Sequence, residues 1–332
     1  MQLNPFGAPV FQRKIVSQTK VPLQFNPFSL SFNSPFSKEL RLAVASFQQE
    51  QNRIKIFRIV GPSIIEESEA PVKFPQTSCL FSSIGSNDSF DSLITCGDTL
   101  KLWKISLDGI NLMGEIDVST TKDPITCQDW SLYDQSLVIV GSCNGSVTAV
   151  DLMSGQVVTR IIAHDHPIHD IQFCGPTSFI TVDFDGSMRL FDLRDLQSSF
   201  IYYQSAMPLM RVSVSPIDNF KVATFSKDSN YVVVIDTRRS GVPCGFCNEH
   251  IGNLTCLKWS NMIDNVLFTS DNKGYIYQSS MAENIVKLKA NMINQYELPI
   301  ESFNIGQNLI AATCEKQINI MEMSVNQNRI QL

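Results

Sequence analysis

The chain has 332 residues, nine cysteines and a net charge of −6 at pH 7. Its length allows two average domains, but all-β folds often extend this far as one domain with a sizeable core. The acidic balance argues against a nucleic-acid-binding protein, since such proteins usually present a basic face. The charged fraction of 17% is below the typical value of about 25%, which suits a large all-β core or a surface covered by partners.

The cysteines are odd in number and scattered, and most lie in apolar runs where a reduced cysteine acts as a small hydrophobe. We therefore expect a reducing compartment, the cytoplasm or nucleus or both, and no disulfide framework. The first residues, MQLNPFGAPVFQ, lack the charged and apolar regions of a secretory signal. No run approaches 18 apolar residues, so we expect no membrane span.

In chain order, residues 1–9 are expected to form a loose tail and residues 10–17 a strand. Residues 40–47 and 52–60 predict a hairpin, and the acidic stretch 61–75, with Glu66, Glu67 and Glu69, predicts a surface loop. Further hairpins follow, one of them preceded by a long polar insert at 83–92. Residues 281–290 fit either a helical turn or an outer strand, and residues 326–332 are expected to form a short polar tail.

Residues 179–194, FITVDFDGSMRLFDLR, form the clearest hairpin. Apolar residues alternate with polar ones on both sides of Asp185-Gly186, a dipeptide that favours tight turns because glycine accepts a positive φ. The second strand ends in Phe191-Asp192, where a WD40 blade carries Trp-Asp, and Ala163-His164 lies where that repeat carries Gly-His.

This unit recurs about every 44 residues, which matches the ~40–45 residues of a four-stranded WD40 blade. The seven end-of-strand anchors that define the period are Phe57, Trp103, Val150, Phe191, Ile235, Tyr277 and Met321. We therefore predict a single all-β domain over residues 1–332, a seven-bladed WD40 β-propeller. The strand at 10–17 is expected to complete the last blade and close the ring.

The histidines at 164, 166 and 169 lie close together in sequence, so a shared metal ion is one interpretation. The favoured interpretation is structural, because a WD repeat uses its loop histidine to bind the turn aspartate of the same blade. His164 is then expected to pair with Asp185, and His250 with Asp271. His169 opens an innermost strand near the channel and is a candidate partner contact.

Catalytic chemistry finds little support in the sequence. It contains no Gly-x-Ser-x-Gly, no phosphate-binding loop and no His-Glu-x-x-His. Cys244 and Cys247 form one C-x-x-C in a predicted loop, which is half of a structural zinc site. We expect a protein that is not an enzyme and needs no cofactor or metal, although a hydrolase or lyase site in the channel stays an alternative.

Arg194 and Arg238 each follow an aspartate by two residues, on adjacent predicted blades. They are either exposed arginines that pair locally, with Asp195 or a backbone carbonyl, or parts of a Trp-Asp-x-Arg box. That box resembles the one with which substrate receptors of cullin-RING ubiquitin ligases dock on their adaptor. The planar fork of arginine suits such a contact.

Several runs carry a narrower resemblance, over roughly residues 20–325 and most densely at 160–240. They are RLAVASF with NRIKIFRI, LITCGDTLKLWKI, IAHDHPIHDIQF, DFDGSMRLFDLRDLQSSFIYY, PLMRVSVS and KVATFSKDSNYVVVIDTR. They resemble the transparent-testa-glabra and anthocyanin-regulator family of WD-repeat scaffolds, whose animal members are named as a cullin-associated factor. The chain departs from that pattern in shortened loops and at Tyr277 and Met321, where tryptophan or a related residue is expected.

The resemblance implies a non-catalytic adaptor for proteins. Plant members of that family hold basic-helix-loop-helix and MYB transcription factors. Animal members hold dual-specificity tyrosine-regulated kinases and are linked to cullin ligases. We therefore expect a monomer within a complex, with a kinase, transcription regulators or a cullin-ligase adaptor as partner and no direct contact with nucleic acid or membrane.

Two functional hypotheses follow. In the first, a scaffold binds partners at the channel mouth through His169, Phe184, Arg211 and Lys227, with Phe184 the most informative because an aromatic at a turn has no core role. In the second, the chain is a substrate receptor of a cullin-RING ligase that docks through Arg194 and Arg238.

Overall fold

The computed structural model describes residues 15–34, 37–82, 90–119, 121–239, 242–281 and 288–324. These residues form seven four-stranded antiparallel sheets, each of which is one blade of a β-propeller. Within these ranges no helix is long and apolar enough to cross a membrane. The expected tails at 1–9 and 326–332, and most of the insert at 83–92, lie outside the described residues.

The strands are numbered in chain order, and within each blade they run from the central channel outward. Blades one to three contain β2 (Pro27–Phe32), β3 (Leu40–Ser46), β4 (Arg53–Val60), β5 (Ser63–Pro71), β6 (Ser78–Phe81), β7 (Asp91–Cys96), β8 (Leu100–Ser106), β9 (Gly109–Ile116), β10 (Ile125–Trp130), β11 (Leu137–Ser142), β12 (Ser146–Asp151) and β13 (Gln156–Ile162). Blades four and five contain β14 (Ile168–Phe173), β15 (Ser178–Asp183), β16 (Ser187–Asp192), β17 (Asp195–Gln204), β18 (Leu209–Val214), β19 (Lys221–Ser226), β20 (Val232–Asp236) and β21 (Pro243–Cys247). Blades six and seven contain β22 (Leu254–Trp259), β23 (Val266–Asp271), β24 (Tyr275–Ser280), β25 (Lys289–Gln295), β26 (Ser302–Ile305), β27 (Leu309–Cys314), β28 (Gln317–Met323) and, as the outer strand of blade seven, β1 (Ile15–Pro22).

The ring is closed by the N-terminal strand, as the sequence predicts. β1 pairs antiparallel with β28, from Ile15 opposite Met323 to Pro22 opposite Gln317, and the inner strand β26 contacts β2. The described strand, Ile15–Pro22, extends five residues past the predicted end at Ser17, and residues 10–14 of the predicted strand lie outside the described residues. Its side chains alternate between half-buried and exposed, so it needs fewer apolar residues than a buried strand and its position is harder to read.

The core lies between neighbouring blades, because each sheet buries both of its faces. One apolar cluster joins Ala43 and Ile54 of blade one to Cys79, Leu93 and Trp103 of blade two. Comparable clusters follow around the ring. Each blade therefore depends on its neighbours, which is the physical reason that the hairpin must be repeated.

Six of the seven sequence anchors occupy equivalent positions. Each of the six is paired with the second or third residue of the preceding strand. Trp103 is paired with Leu93, the third residue of β7, and Phe191 with Phe179, the second residue of β15. In blade six this position is held by Ser279, opposite Leu267, so the assignment of Tyr277 is two residues too early. Trp103 Nε1 donates to Thr95 Oγ1 at 3.0 Å, the side-chain bond typical of a WD repeat.

Several outer strands were expected to be loops or were left ambiguous. The acidic stretch predicted as a loop at 61–75 contains β5, and the C-x-x-C of Cys244 and Cys247 lies on β21 rather than in a loop. Residues 289 and 290 of the ambiguous segment 281–290 begin β25. An outer strand exposes one face to solvent, so charged and small residues are tolerated there and the pattern resembles that of a loop.

Candidate functional site: the upper mouth of the channel

We call the end of the ring at which the inner strands begin the upper face, and the opposite end the lower face. On the upper face, the loop before each inner strand meets the hairpin turn between the two middle strands. In blade four, Gly186 has a φ of +83°, and a Cβ there would lie 2.5 Å from the carbonyl oxygen of Ser205. Only glycine fits that contact, so the loop between β17 and β18, which contains Ser205, packs tightly against the turn.

A buried network fastens this turn in blade four. His164 Nδ1 lies 3.0 Å from Asp183 Oδ2, and its Nε2 lies 2.7 Å from Thr181 Oγ1. Burial is the largest single influence on Asp183 and raises its pKa, but the interactions with His164, Asp185 and the backbone of Ser187 together outweigh burial and hold the pKa of that carboxyl well below its usual range. The expected partner Asp185 lies at the exposed tip of the turn, where it accepts a hydrogen bond from the backbone N–H of Ser187 at 2.7 Å. The carboxylate partner of His164 is therefore Asp183.

Blade six has a related network with different partners. His250 Nδ1 lies 3.0 Å from the carbonyl oxygen of Asn230, and Nε2 lies 2.8 Å from Thr269 Oγ1. The predicted bond from His250 to Asp271 is absent from this described region, because the hydroxyl of Tyr277 donates to Asp271 Oδ2 instead, at 3.1 Å. Burial lowers the pKa of His250. In blade six, Tyr277 therefore makes the contact with the aspartate that the histidine makes in blade four.

The histidine trio does not form a shared site. His164 is buried and uses both ring nitrogens in its own blade, whereas His166 and His169 lie on either side of an exposed aromatic ring. The described residues do bring His164, Asp183 and Asp185 within 4.8 Å of one another. These three groups already hydrogen-bond within the turn, so the cluster is accounted for as a structural network.

Phe184 is held in a fixed position on the upper face although it is 50% exposed. Its ring stacks on His166 at a centroid distance of 6.0 Å and meets the edge of His169 at 6.1 Å. His169 is itself fixed, because its Nδ1 lies 2.7 Å from the carbonyl oxygen of Leu209 in the next blade. Two of the predicted contact residues, Phe184 and His169, are therefore brought together.

The other two predicted contacts lie on blade five. Arg211 lines the channel together with His169, and its Nη1 donates to the carbonyl oxygen of Met210 at 3.0 Å. Lys227 is exposed on the turn of the same blade and does not line the channel. The upper mouth thus combines an exposed aromatic ring on blade four with cationic groups on the adjacent blade five.

Sequence reasoning missed the polar lining of the channel. Side-chain oxygens of one inner strand accept backbone N–H groups of the next: Ser29 from Cys79 at 3.0 Å, Asp129 from Phe173 at 2.8 Å, Asp170 from Val212 at 3.0 Å, Gln172 from Val214 at 2.7 Å and Ser213 from Trp259 at 3.3 Å. These bonds satisfy the strand edges that face the channel. The signal was present as acidic and polar residues at alternate positions of each inner strand.

The upper part of the channel encloses a cavity of about 280 Å³, lined by His169, Arg211, Asp129, Asp170 and Lys258 among others. Burial raises the pKa of Asp129 to about 7, and the hydrogen bond from Phe173 opposes that shift. Among the hydrogen bonds of these described lining residues, none joins a cysteine or serine side chain to a histidine or a carboxylate.

Arg194 and Arg238 lie on the lower face, far from these residues in the fold. Arg194 donates to both carboxylate oxygens of Asp192, at 3.0 and 2.6 Å, and Arg238 does the same with Asp236, at 2.8 and 2.7 Å. Neither arginine makes the pairing that was expected, with Asp195 or a carbonyl. Their side chains stay 76% and 51% exposed. Blades four and five therefore each present an Asp-x-Arg unit to solvent, and Arg238 also lies 3.6 Å from Asp218 and 4.9 Å from the centre of the Phe220 ring.

Comparison with known proteins agrees with this architecture. No protein-family model matches the chain. The DDB1- and CUL4-associated factor 7 homolog of Dictyostelium discoideum is 30% identical over 246 residues, which cover 70% of this chain and 75% of that protein. An uncharacterized WD repeat-containing protein of Schizosaccharomyces pombe is 30% identical over 272 residues, and a WD repeat-containing protein of Saccharomyces cerevisiae is 29% identical over 220 residues.

The matched regions cover 70% and 53% of this chain for the two yeast proteins, but only 62% and 42% of their own lengths. The match to the Dictyostelium protein covers the same 70% of this chain as the Schizosaccharomyces match and a larger share, 75%, of the relative itself, and the seven-bladed ring agrees with it. The chain belongs to the family of WD-repeat proteins that includes this Dictyostelium homolog.

Proposed function

We propose that the chain is a non-catalytic scaffold that docks partner proteins at the upper mouth of its propeller. The observation that carries this proposal is Phe184, an aromatic ring that is half exposed and contacts two imidazole rings, one of which, His169, is bonded to the next blade. An exposed ring gains little for the fold. A partner that covers it gains apolar burial without the cost of ordering a flexible side chain.

The charges around Phe184 indicate how a partner is oriented. Arg211 and Lys227 lie on the next blade, and His169 connects that blade to Phe184 through Leu209. A partner segment with an apolar or aromatic anchor and acidic residues beside it fits this arrangement. The anchor supplies most of the affinity, and the charges set the orientation and the rate of association.

The resemblance to the transparent-testa-glabra and anthocyanin-regulator scaffolds supports a regulatory partner. A kinase of the dual-specificity tyrosine-regulated type and transcription regulators are the proposed classes, bound in the cytoplasm, the nucleus or both. The propeller acts as a monomer within such a complex, because a ring offers separate upper, lower and side surfaces that different partners can occupy together.

The test is affinity purification of the full chain from its own cells, followed by quantitative mass spectrometry. The double variant Phe184→Ala with Arg211→Ala is expected to lose a defined set of partners by at least about ten-fold, since a central hot spot contributes 2 kcal/mol or more. The matched control, Met153→Ala with Arg239→Ala, removes an exposed apolar and an exposed cationic side chain from the lower face. Equal partner recovery from all three proteins would remove the upper mouth from the proposal.

A second candidate is docking on a cullin-ligase adaptor. The name of the Dictyostelium relative associates that protein with DDB1 and CUL4. In this chain Arg194 and Arg238 form matching Asp-x-Arg units on the lower edge of adjacent blades. Purified DDB1 is the probe: wild type and the Phe184→Ala, Arg211→Ala variant should bind it, and Arg194→Ala with Arg238→Ala should not. Absence of DDB1 binding by wild type excludes this second function and leaves the first untouched.

A further inference from the structure

The outer strand of blade four differs from the other six. β17 contains ten residues, the longest strand in the described part of the chain, and residues 196–204 include no charged side chain. It is the last strand of its sheet, with no strand paired on its outer side in the described ranges. An outer edge of this kind presents backbone N–H and C=O groups that an added strand can pair with.

The other outer strands carry features that discourage pairing. β5 has Glu66, Glu67 and Glu69, β13 has Arg160, and β21 is short and begins with proline. Charge and proline at an edge are the usual protection against unwanted strand addition. β9 and β25 are the nearest comparisons, since each has an uncharged run of six residues, 109–114 before Glu115 and 290–295 after Lys289, against nine in β17.

Some side chains of β17 pack against the core, and others are exposed to solvent. Tyr202 and Tyr203 pack against the apolar cluster between blades four and five. Phe200 and Ile201 are each 49% exposed, and the Phe200 ring lies 4.9 Å from that of Tyr202. The strand is therefore fixed in place while its outward residues offer apolar surface on both faces of the sheet.

The pairing between β16 and β17 opens beside this edge. The register shifts between Met188 and Arg189 and again between Leu190 and Asp192, whereas the corresponding pairs of the other described blades show at most one shift. A recess of about 590 Å³ lies beside this part of the sheet. It is lined by the apolar Leu190, Phe191 and Phe200 and by the polar or charged Asp192, Arg194, Asp195, Ser198 and Ser199. The recess is large enough for an apolar side chain.

We propose that β17 is a docking edge for an extended segment of a partner protein, which adds as a fifth strand to blade four. The unpaired edge specifies the backbone conformation of the partner, and the uncharged, apolar side chains specify a segment that is uncharged over the paired length. One apolar side chain of that segment occupies the recess. This surface is on the side of the ring and does not depend on the upper mouth.

A separate segment fits this edge better than a second copy of the chain. Two rings that meet along one ten-residue strand share a strip of roughly 33 Å by 10 Å on each side, about 660 Å² in total. That is below the ~1,200 Å² of a stable interface between folded proteins. A flexible segment can cover the edge and enter the recess at the same time.

The test is hydrogen–deuterium exchange of the full chain with a synthetic strand peptide of alternating threonine and isoleucine, with a central phenylalanine and a lysine at each end. At ten times its Kd, the peptide is expected to slow amide exchange in 195–204 about ten-fold by mass action. The same peptide N-methylated at its four central residues cannot pair and should give no protection. Ile201→Lys should abolish the protection, whereas Met113→Lys, at a 62% exposed position on β9, should retain it.

Three results would overturn the proposal. The first is unchanged exchange in β17 at millimolar peptide. The second is equal protection by the N-methylated peptide, since binding then does not use the backbone edge. The third is protection of β17 by self-association alone, seen as a dimer in light scattering, which assigns the edge to a second copy. The melting temperatures of both lysine variants establish that each ring is folded.

Discussion

Blades one and four both hold an arginine against carboxylates, but in opposite environments. Arg41 is 5% exposed and donates to Glu67 at 2.7 and 2.9 Å and to Asp91, from blade two, at 2.8 Å. Arg194 makes an equally short pair with Asp192 and stays largely in solvent. The same chemistry therefore joins two blades in one place and presents a surface in the other.

The outer edges of the two blades differ in the same sense. Glu66 and Glu69 on β5 pair with Lys55, and Glu69 also pairs with Arg53, so the charges of that edge are tied to the blade. β17 has no charge over residues 196–204 and a recess beside it. The outer edge of blade one is therefore occupied by ion pairs within the blade, whereas the outer edge of blade four has no such charges and can accept a partner.

The largest expected effect is that of Arg41→Met. It leaves Glu67 and Asp91 without their main cation, and their side chains are only 9% and 10% exposed. Removal of one partner from a buried ion pair costs about 3–5 kcal/mol, because the remaining charge stays desolvated. Urea unfolding followed by tryptophan fluorescence measures this loss.

Arg53→Met is the control for that measurement. Arg53 pairs with Glu69 in the same blade, but both side chains are partly in solvent, so the change should cost about 0.5 kcal/mol. Equal losses for the two variants would contradict the assigned role of Arg41. Arg41→Lys should recover only part of the stability, because lysine lacks the planar fork that reaches two carboxylates.

A smaller effect is expected from Asp183→Asn in blade four. The amide keeps an oxygen acceptor and loses the charge facing His164, which should reduce the free energy of unfolding by about 2 kcal/mol at pH 7. The pKa of Asp183 is lowered in the folded state from the usual 3.8. Its contribution is therefore present above pH 4 and is lost as the pH falls further.

Chemical unfolding at pH 7, 5 and 3 checks this sign. The difference between wild type and Asp183→Asn should be similar at pH 7 and 5 and smaller at pH 3. A difference that is constant down to pH 3 would show that the charge on Asp183 does not stabilise the blade. Asp185→Asn, at the exposed tip of the same turn, serves as the matched control and should change little at any of these pH values.

The sequence predicts the ring because the two middle strands of each blade are buried on both faces, and their apolar content therefore recurs with the period. The outer strands carry no such signal. β5, with three glutamates over nine residues, has the composition of a loop and becomes a strand because β4 supplies its hydrogen-bond partners. The same tertiary effect extends the closing strand to Pro22, past its predicted end at Ser17, because β28 supplies its hydrogen-bond partners.

The candidate site is only partly readable from sequence. A turn dipeptide and a nearby histidine indicate the fastening of blade four, but whether residue 183 or 185 faces the imidazole depends on the register of β15 and β16. The rings on either side of Phe184 come from a different loop and strand, and no local pattern indicates their approach. The network of Arg41 joins three separate elements, so charge within an apolar strand was its only sequence signal.

The smallest expected effect on stability is that of Arg194→Ala. The side chain is 76% exposed and its partner Asp192 is two residues away, so the pair orders the turn without connecting separate elements. The hydrogen bond from Arg194 holds the pKa of Asp192 well below its usual range, but solvent screens the pair and little of that interaction appears as folding free energy. We expect a melting temperature equal to that of wild type within the error of scanning calorimetry. A clear destabilisation, comparable with that of Asp183→Asn, would mean that blade four uses its exposed arginine as blade one uses Arg41, and the contrast between the two blades would not hold.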